Sequence, residues 1–219
     1  MRRLGEGCLY LVTDRRLAGA RPLPEIVAAA VRGGVSAVQL REKECGTREF
    51  VELARELNAL LAPAGIPLLI NDRVDVALAA GAGGIHLGQS DLDPAAARRL
   101  LGDQAILGLS VETMEQARQA ASLPVDYLGV SPIFPTPTKT DVATNWGLEG
   151  LANLRRASRD ELIAIGGIHA GNAGDVIAAG ADGLAVVSAL VAAADPAAAA
   201  RELVRAIGEG LRRRVQYST

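Results

Sequence analysis

This sequence predicts a single-domain α/β fold of the (β/α)8 TIM-barrel class, and three observations carry the prediction. Eight short apolar runs recur along the 219 residues. Segments with helical apolar spacing or helix-start signals alternate with them. Three helix-to-strand turns repeat one pattern: Gly33-Gly34-Val35-Ser36-Ala37-Val38, Gly81-Ala82-Gly83-Gly84-Ile85 and Gly180-Ala181-Asp182-Gly183-Leu184. Each offers glycine where a helix ends in the left-handed conformation, and small residues where the chain enters a buried strand. The length is on the short side of the roughly 250 residues typical of such barrels. A doubly wound open sheet is the alternative. It would show a glycine-rich phosphate loop after the first strand, where this chain has Thr13-Asp14-Arg15-Arg16.

In chain order, Cys8 to Thr13 is the first strand, ending at Asp14. Helical spacing runs from Pro24 to Arg32, with Pro22 and Pro24 placed where a helix can begin, and Gly33-Gly34 closes it. Ala37 to Arg41 is the second strand. Thr47, followed by Phe50, Val51, Leu53, Ala54, Leu57, Leu60 and Leu61, marks a capped amphipathic helix that stops at Pro63 and Gly65. Leu68 to Ile70 and Ile85 to Leu87 are strands three and four, joined by a short Ala/Val/Leu helix. Asp93-Pro94 caps a helix through Leu101, Ile106 to Ser110 is the fifth strand, and Thr113 opens a helix to Ala121. Asp126 to Val130 is the sixth strand. The longest loop follows, Ser131 to about Leu148, and a loop of that length in a compact domain is more often functional than accidental. Leu162 to Ile165 is strand seven, Asn172 to Ala179 a helix, Gly183 to Val187 strand eight, and Pro196 to about Arg212 the last helix. The expected domain is 1–219, frayed at about 1–7 and 213–219.

Hydrophobic residues make up 49% and charged residues 22%, which suits a globular protein with a large core. A net charge of −2 argues against an extended nucleic-acid or acidic-lipid surface. Two cysteines, Cys8 and Cys45, are too few for a disulfide framework, and with only His86 and His169 beside them they make no Cys/His zinc cluster. Met1-Arg2-Arg3 is not followed by an apolar signal-peptide core, and no run approaches the roughly 18 apolar residues of a membrane helix. A cytoplasmic, small-molecule role is the expectation, with no nucleic-acid or membrane partner and with a homo-oligomer left open.

Residues just after barrel strands face one shared mouth, so the polar residues there can be pooled. The pool is Gln39, Arg41, Lys43, Asn71, Asp72, Gln89, Asp91, Ser110, Thr136, Thr138, Lys139, Gly166, Gly167, Val187 and Ser188. It mixes cations, hydroxyls, backbone donors and two carboxylates, which suits a phosphorylated substrate and a hard cation. Asp72 and Asp91, on neighbouring strand ends, can ligate Mg²⁺ together with water and phosphate oxygens. Alternatively, Asp72 pairs with Arg73 or caps the next helix. Arg41 and Lys43 combine a guanidinium fork with a point charge and suit a diphosphate. A mouth ion network with Glu42 and Glu44 is the competing reading. Thr136, Thr138 and Lys139 lie on a Pro-stiffened loop and can bind phosphate or carboxylate oxygens, or be ordinary solvated loop. Gly166-Gly167 and Ser188 fall in the quadrant where barrels often bind phosphate through backbone N–H groups. His86, inside a strand, reads as a satisfied structural histidine facing a packed layer or a helix, and His169 as exposed. No nucleophilic triad is supported. Trp146 either stacks on a ring or anchors the long loop.

With those residues in view, the chain resembles thiamin-phosphate synthase across nearly its whole length. The matching blocks are Tyr10 to Asp14, Val38 to Lys43, Ile70 to Arg73, Gly84 to Asp91, Gly129 to Thr136, Thr138-Lys139, Trp146 to Leu148 and Ile165 to Ile168. Their order and spacing are specific where any single block is weak. The resemblance implies a transferase that joins 4-amino-5-hydroxymethyl-2-methylpyrimidine diphosphate to a thiazole phosphate carboxylate, releasing thiamin phosphate, pyrophosphate and CO2. It implies contacts to the pyrimidine diphosphate from Gln39, Leu40, Arg41, Glu42, Lys43, Asn71, Ser110 and Lys139. It implies Mg²⁺ on Asp72 and Asp91, and the thiazole phosphate on Thr136, Pro137, Thr138, Gly167, Val187 and Ser188. The catalytic roles fall to Arg41, Lys43, Ser110 and Lys139. Relatives often carry Ser-Thr-His or Ser-Val-His after the fifth strand, and here the segment is Ser110-Val111-Glu112. A related thiazole tautomerase subgroup uses a histidine near this point, so Glu112 speaks against that reading. A non-catalytic thiazole-phosphate-binding regulator is the other alternative.

Overall fold

Eight parallel strands close on themselves in sequence order, β1 (Cys8–Val12), β2 (Ala37–Leu40), β3 (Leu68–Asn71), β4 (Gly84–Leu87), β5 (Ile106–Val111), β6 (Tyr127–Val130), β7 (Glu161–Ile165) and β8 (Gly183–Val186). The register pairs Cys8 with Gly183 and Tyr10 with Ala37, so β1 closes the ring between β8 and β2. This is the (β/α)8 TIM barrel, seen in a computed structural model that describes residues 4–135 and 145–216. Thr136, Pro137, Thr138 and Lys139 lie outside the described residues.

Two cores follow from the alternation of side chains along each strand. Leu9, Leu11, Val38, Leu40, Ile70, Ile85, Leu128 and Leu184 point outward and pack against the helices. Tyr10, Val12, Leu69, Tyr127, Ile163 and Ala185 point inward and fill the barrel. Each fully buried Leu or Ile contributes roughly 1.5–3 kcal/mol of transfer free energy, so the outward layer dominates stability. The inward layer carries tyrosines that need hydrogen-bond partners.

The helices follow the expected starts with a few differences. α2 (Leu23–Arg32) carries proline in its first turn, and α3 (Thr47–Leu61) has Gly46, not Thr47, as its uncapped N-terminal residue. A 3-10 turn at Ala62–Ala64 ends it, with Gly65 left-handed. α4 (Val74–Ala80) ends on left-handed Gly81, and Asp93 caps α5 (Pro94–Leu101) by accepting from Ala96 N–H. Thr113 caps α6 (Met114–Ala120) in the same way. α8 (Ala170–Ala178) and α10 (Pro196–Gln216) complete the expected set, α10 running four residues past its expected end. Three helices were not foreseen: α1 (Arg15–Ala18), α7 (Gly147–Ala157) and α9 (Ser188–Val191). Two are single turns, and α7 begins inside what reads as loop.

Candidate active site

The carboxyl ends of the strands surround a cavity of about 740 Å³. Gln39, Arg41, Lys43, Asn71, Asp72, Asp91, Ser110, Gly167, Val187 and Ser188 all line it, as expected for residues just after barrel strands. Leu40 and Glu42 do not. Alternation turns Leu40 outward into the helix-facing core, where it is fully buried. Glu42 turns the same way onto an outer groove that it shares with Arg15, Arg16, Glu44, Cys45 and Glu49, and that Asp14, Arg41 and Lys43 also border. There its buried carboxylate accepts from Arg15 Nε at 3.0 Å.

At the rim, Lys43 Nζ donates to Asp72 Oδ2 at 2.9 Å. Asp72 is the one described residue other than glycine with positive φ, at 62°. Its N–H donates to the His86 carbonyl of β4 at 2.9 Å, and this left-handed step swings the carboxylate toward the next strand end. Asp91 arrives there from the loop after β4, its Oδ2 accepting from Gly88 N–H at 2.7 Å. Burial, and then the neighbouring Asp72 carboxylate, hold the Asp91 carboxyl above its ordinary pKa. Arg73 pairs with Asp75 and no side chain caps α4, so Asp72 is neither the Arg73 partner nor a helix cap. Two carboxylates crowded together and half-neutralised by one lysine are a donor set that would fit a divalent cation, with its other ligands to be supplied by water and substrate oxygens. No three-carboxylate or histidine cluster that could cage a metal alone occurs among the described residues.

Arg41 N–H is held by Thr13 Oγ1 at 3.0 Å, and its guanidinium lies 3.7 Å from Asp14, leaving donors for an anion. In place of the competing mouth network, Glu42 and Glu44 pair with Arg15 and Arg16, and Arg41 and Lys43, which lie between the cavity and the outer groove, are not bound to either glutamate. Gly166 and Gly167, with φ of 106° and 65°, form the turn after β7. A Cβ on either would meet Pro132 or Phe134 within 2.8 Å, so glycine is required by both conformation and space. Val187 and Ser188 follow β8 and start α9. Trp146 anchors the base of the long loop, its backbone N–H donating to Pro132 O at 3.0 Å, with the ring packed on the core.

The floor of the cavity was not read from the sequence. Tyr10, His86 and Tyr127 form it with Gln39 and Ser110. His86 is satisfied, as expected, but faces the barrel interior. Its Nδ1 lies 2.8 Å from Tyr127 Oη and its Nε2 2.8 Å from Ser110 Oγ. The signal lay in two strand glycines: a Cβ on Gly108 would fall 2.1 Å from the Tyr127 ring, and one on Gly129 would fall 2.8 Å from His86. His169 is exposed and caps α8, accepting from Gly171 N–H.

The thiamine monophosphate synthase family model matches residues 9–190. The chain belongs to the thiamine monophosphate synthase family. Within that family it is 62% identical over 202 residues to a thiamine-phosphate synthase of Albidiferax ferrireducens, covering 91% of this chain and 92% of that protein. It is 55% identical over 195 residues to a thiamine-phosphate synthase of Syntrophomonas wolfei, covering 89% and 93%. Among solved structures it resembles the thiamine phosphate pyrophosphorylase of Pyrococcus furiosus, with a TM-score of 0.86, 38% identity and coverage of 95% and 98%. Among the described residues no helix is long and apolar enough to cross a membrane.

Proposed function

We propose that this chain is a thiamin-phosphate synthase, joining 4-amino-5-hydroxymethyl-2-methylpyrimidine diphosphate to a thiazole phosphate carboxylate with release of pyrophosphate and CO2. The observation that carries this reading is the rim geometry. Lys43, Asp72 and Asp91 converge beside Arg41, above a polar floor ending in Gln39 and Ser110. Charge is concentrated where a diphosphate would sit, and uncharged donors and acceptors where an aminopyrimidine ring would.

Loss of pyrophosphate from the pyrimidine methylene leaves a resonance-stabilised cation, so the main demand on the protein is to stabilise the leaving charge. Arg41 and Lys43 supply positive charge at the rim, with Lys139 assigned the same role from sequence. Asp72 and Asp91 would hold Mg²⁺, which when bound neutralises diphosphate oxygens. Asn71 and Ser110 orient the ring. Gly167, Val187 and Ser188, with Thr136, Pro137 and Thr138, hold the thiazole phosphate, so that its nitrogen faces the cation. No protein nucleophile is needed. Glu112 lines the cavity near the point where the tautomerase subgroup uses a histidine, which speaks against a single-substrate isomerase. A cytoplasmic setting goes with two free cysteines and a soluble pair of substrates.

The test is thiamin phosphate formation from both substrates with Mg²⁺. Activity should vanish with EDTA and fall by at least about 100-fold in Asp72→Ala, the scale for losing one electrostatic stabiliser. No product from the wild-type chain, or full activity in EDTA, would refute the reading.

A further inference from the structure

Five side chains cross the cavity floor in one unbroken hydrogen-bond chain. Gln39 Nε2 donates to Tyr10 Oη at 3.0 Å, Tyr10 Oη lies 3.2 Å from Tyr127 Oη, Tyr127 Oη lies 2.8 Å from His86 Nδ1, and His86 Nε2 lies 2.8 Å from Ser110 Oγ. The chain is walled off from water in its middle, with Tyr10 and Tyr127 each 1% exposed and Gln39 4%. Each hydroxyl has one proton, and a neutral imidazole has one proton between its two nitrogens. Every link therefore constrains the next. Because the Gln39 nitrogen can only donate, the Tyr10 oxygen accepts there and passes its own proton toward Tyr127. Tyr127 then donates to His86 Nδ1, and His86 carries its proton on Nε2, where it donates to Ser110.

The two ends are thus coupled. Gln39 Oε1 is left as an acceptor and the Ser110 hydroxyl proton as a donor, neither used by any other described residue. Turning the Gln39 amide over would require every member to reverse, presenting a donor at Gln39 and an acceptor at Ser110. Gly108 and Gly129, which leave room for the Tyr127 and His86 rings, show that the floor is built around this arrangement.

We propose that Tyr10, Tyr127 and His86 are positioning residues that lock Gln39 as an acceptor and Ser110 as a donor, so that the site selects a 4-aminopyrimidine over its 4-oxo counterpart. The inference rests on reading the cavity as the pyrimidine site. An aminopyrimidine offers one exocyclic donor and ring-nitrogen acceptors, the complement of this sense of the chain. The 4-oxo ring offers a carbonyl acceptor and a ring N–H donor, the complement of the reversed sense. An oxo ring would meet acceptor against acceptor at Gln39, and an unmatched buried polar group is costly.

The experiment measures kcat/KM of the full chain, with Mg²⁺ and thiazole phosphate carboxylate, for the pyrimidine diphosphate and its 4-oxo analogue. Wild type should favour the amino ring by about 100-fold or more, the scale of an unsatisfied polar group at the buried Gln39 end and another at the half-buried Ser110 end. Tyr127→Phe keeps the ring and cuts the chain in the middle. It should lower the amino-to-oxo ratio by about 10-fold or more, partly by raising activity on the oxo ring relative to the amino ring. Tyr10→Phe cuts the chain one link earlier, should act in the same direction, and carries the test if Tyr127→Phe does not fold. Equal losses on both rings would show that the tyrosines only pack and would overturn the inference. So would a wild-type chain that uses both rings equally, although the synthase reading would survive. A wild-type chain inactive on the amino ring would refute the synthase reading itself.

Discussion

Replacing Gly108 with alanine tests whether the cavity floor is built as described. Gly108 on β5 is in register with Tyr127 on β6, and the two positions face the same side. A Cβ at 108 would lie 2.1 Å from Tyr127 Cζ and 2.4 Å from its Cε1 and Oη. Ordinary contact needs about 3.5 Å or more, so the ring must retreat by over an ångström. It is 1% exposed and packed on all sides but the cavity, so the ring can yield only by moving out of its place in the floor. Overpacking of this kind costs about 1–3 kcal/mol. The retreat also breaks the 2.8 Å bond to His86 and leaves buried polar groups unmatched, a further cost of about 1–3 kcal/mol. The expected destabilisation is about 4 kcal/mol, which for a chain of this size lowers Tm by about 8–16 °C. Displacing by that distance a ring that positions the substrate-contacting groups should lower kcat/KM by about 100-fold. Urea unfolding followed by circular dichroism, with steady-state kinetics beside it, measures both. The same substitution in a Tyr127→Ala background should cost under about 1 kcal/mol, because the clash is gone. A loss below about 1 kcal/mol in the wild-type background would refute the steric argument, as would an equal loss in both backgrounds.

Other consequences can be read in the same assays. Arg15→Ala strands the buried Glu42 carboxylate, whose other oxygen already lacks a partner, and should cost about 2 kcal/mol while raising the KM for the pyrimidine diphosphate. An unchanged KM would mean that the Glu42 pairing does not position Arg41 and Lys43. Arg98→Ala uncovers Asp126, which is buried and accepts from Arg98 at 2.7 Å and Leu107 N–H at 2.9 Å, and should cost about 3 kcal/mol with kcat/KM unchanged at low temperature. Asp91 has its carboxyl raised above the ordinary 3.8, first by burial and then by Asp72, so its stability contribution is full below that value and lost as pH rises through the folded-state pKa. Asp91→Asn should therefore stabilise the EDTA-treated protein at pH 7 by a few tenths of a kcal/mol, given the exposure of the site, and not near pH 3.8, as urea midpoints would show. The Cys8 thiol is pushed up to about 11 by burial, so a thiol reagent at pH 8 should label Cys45 and spare Cys8 until the chain unfolds.

The barrel was legible because each strand is an apolar run flanked by glycine, proline or a capping residue, and those local signals agree with one another. The rim residues followed, since a barrel strand must deliver its next residues to the mouth. Leu40 and Glu42 were placed in the site by resemblance, and strand alternation turns their side chains away. The single-turn helices α1 and α9 are too short for a period to register, and α7 carries Gly147 and Gly150 in its first turn, which reads as loop.

By itself the sequence determined the order of strands, the buried face of most helices and which polar residues arrive at one end. All of these follow from local spacing and backbone preference. Only the tertiary structure decided what those residues do to one another. The left-handed turn at Asp72 and the Lys43 contact place two carboxylates together, and neither is encoded by spacing. The floor is the clearer case. Tyr10, Gln39, His86, Ser110 and Tyr127 come from five strands, and their hydrogen bonds exist only once closure of the barrel sets the register between β1 and β8. A hydrogen bond between residues 117 positions apart has no local signature except the glycine opposite the ring that needs the room.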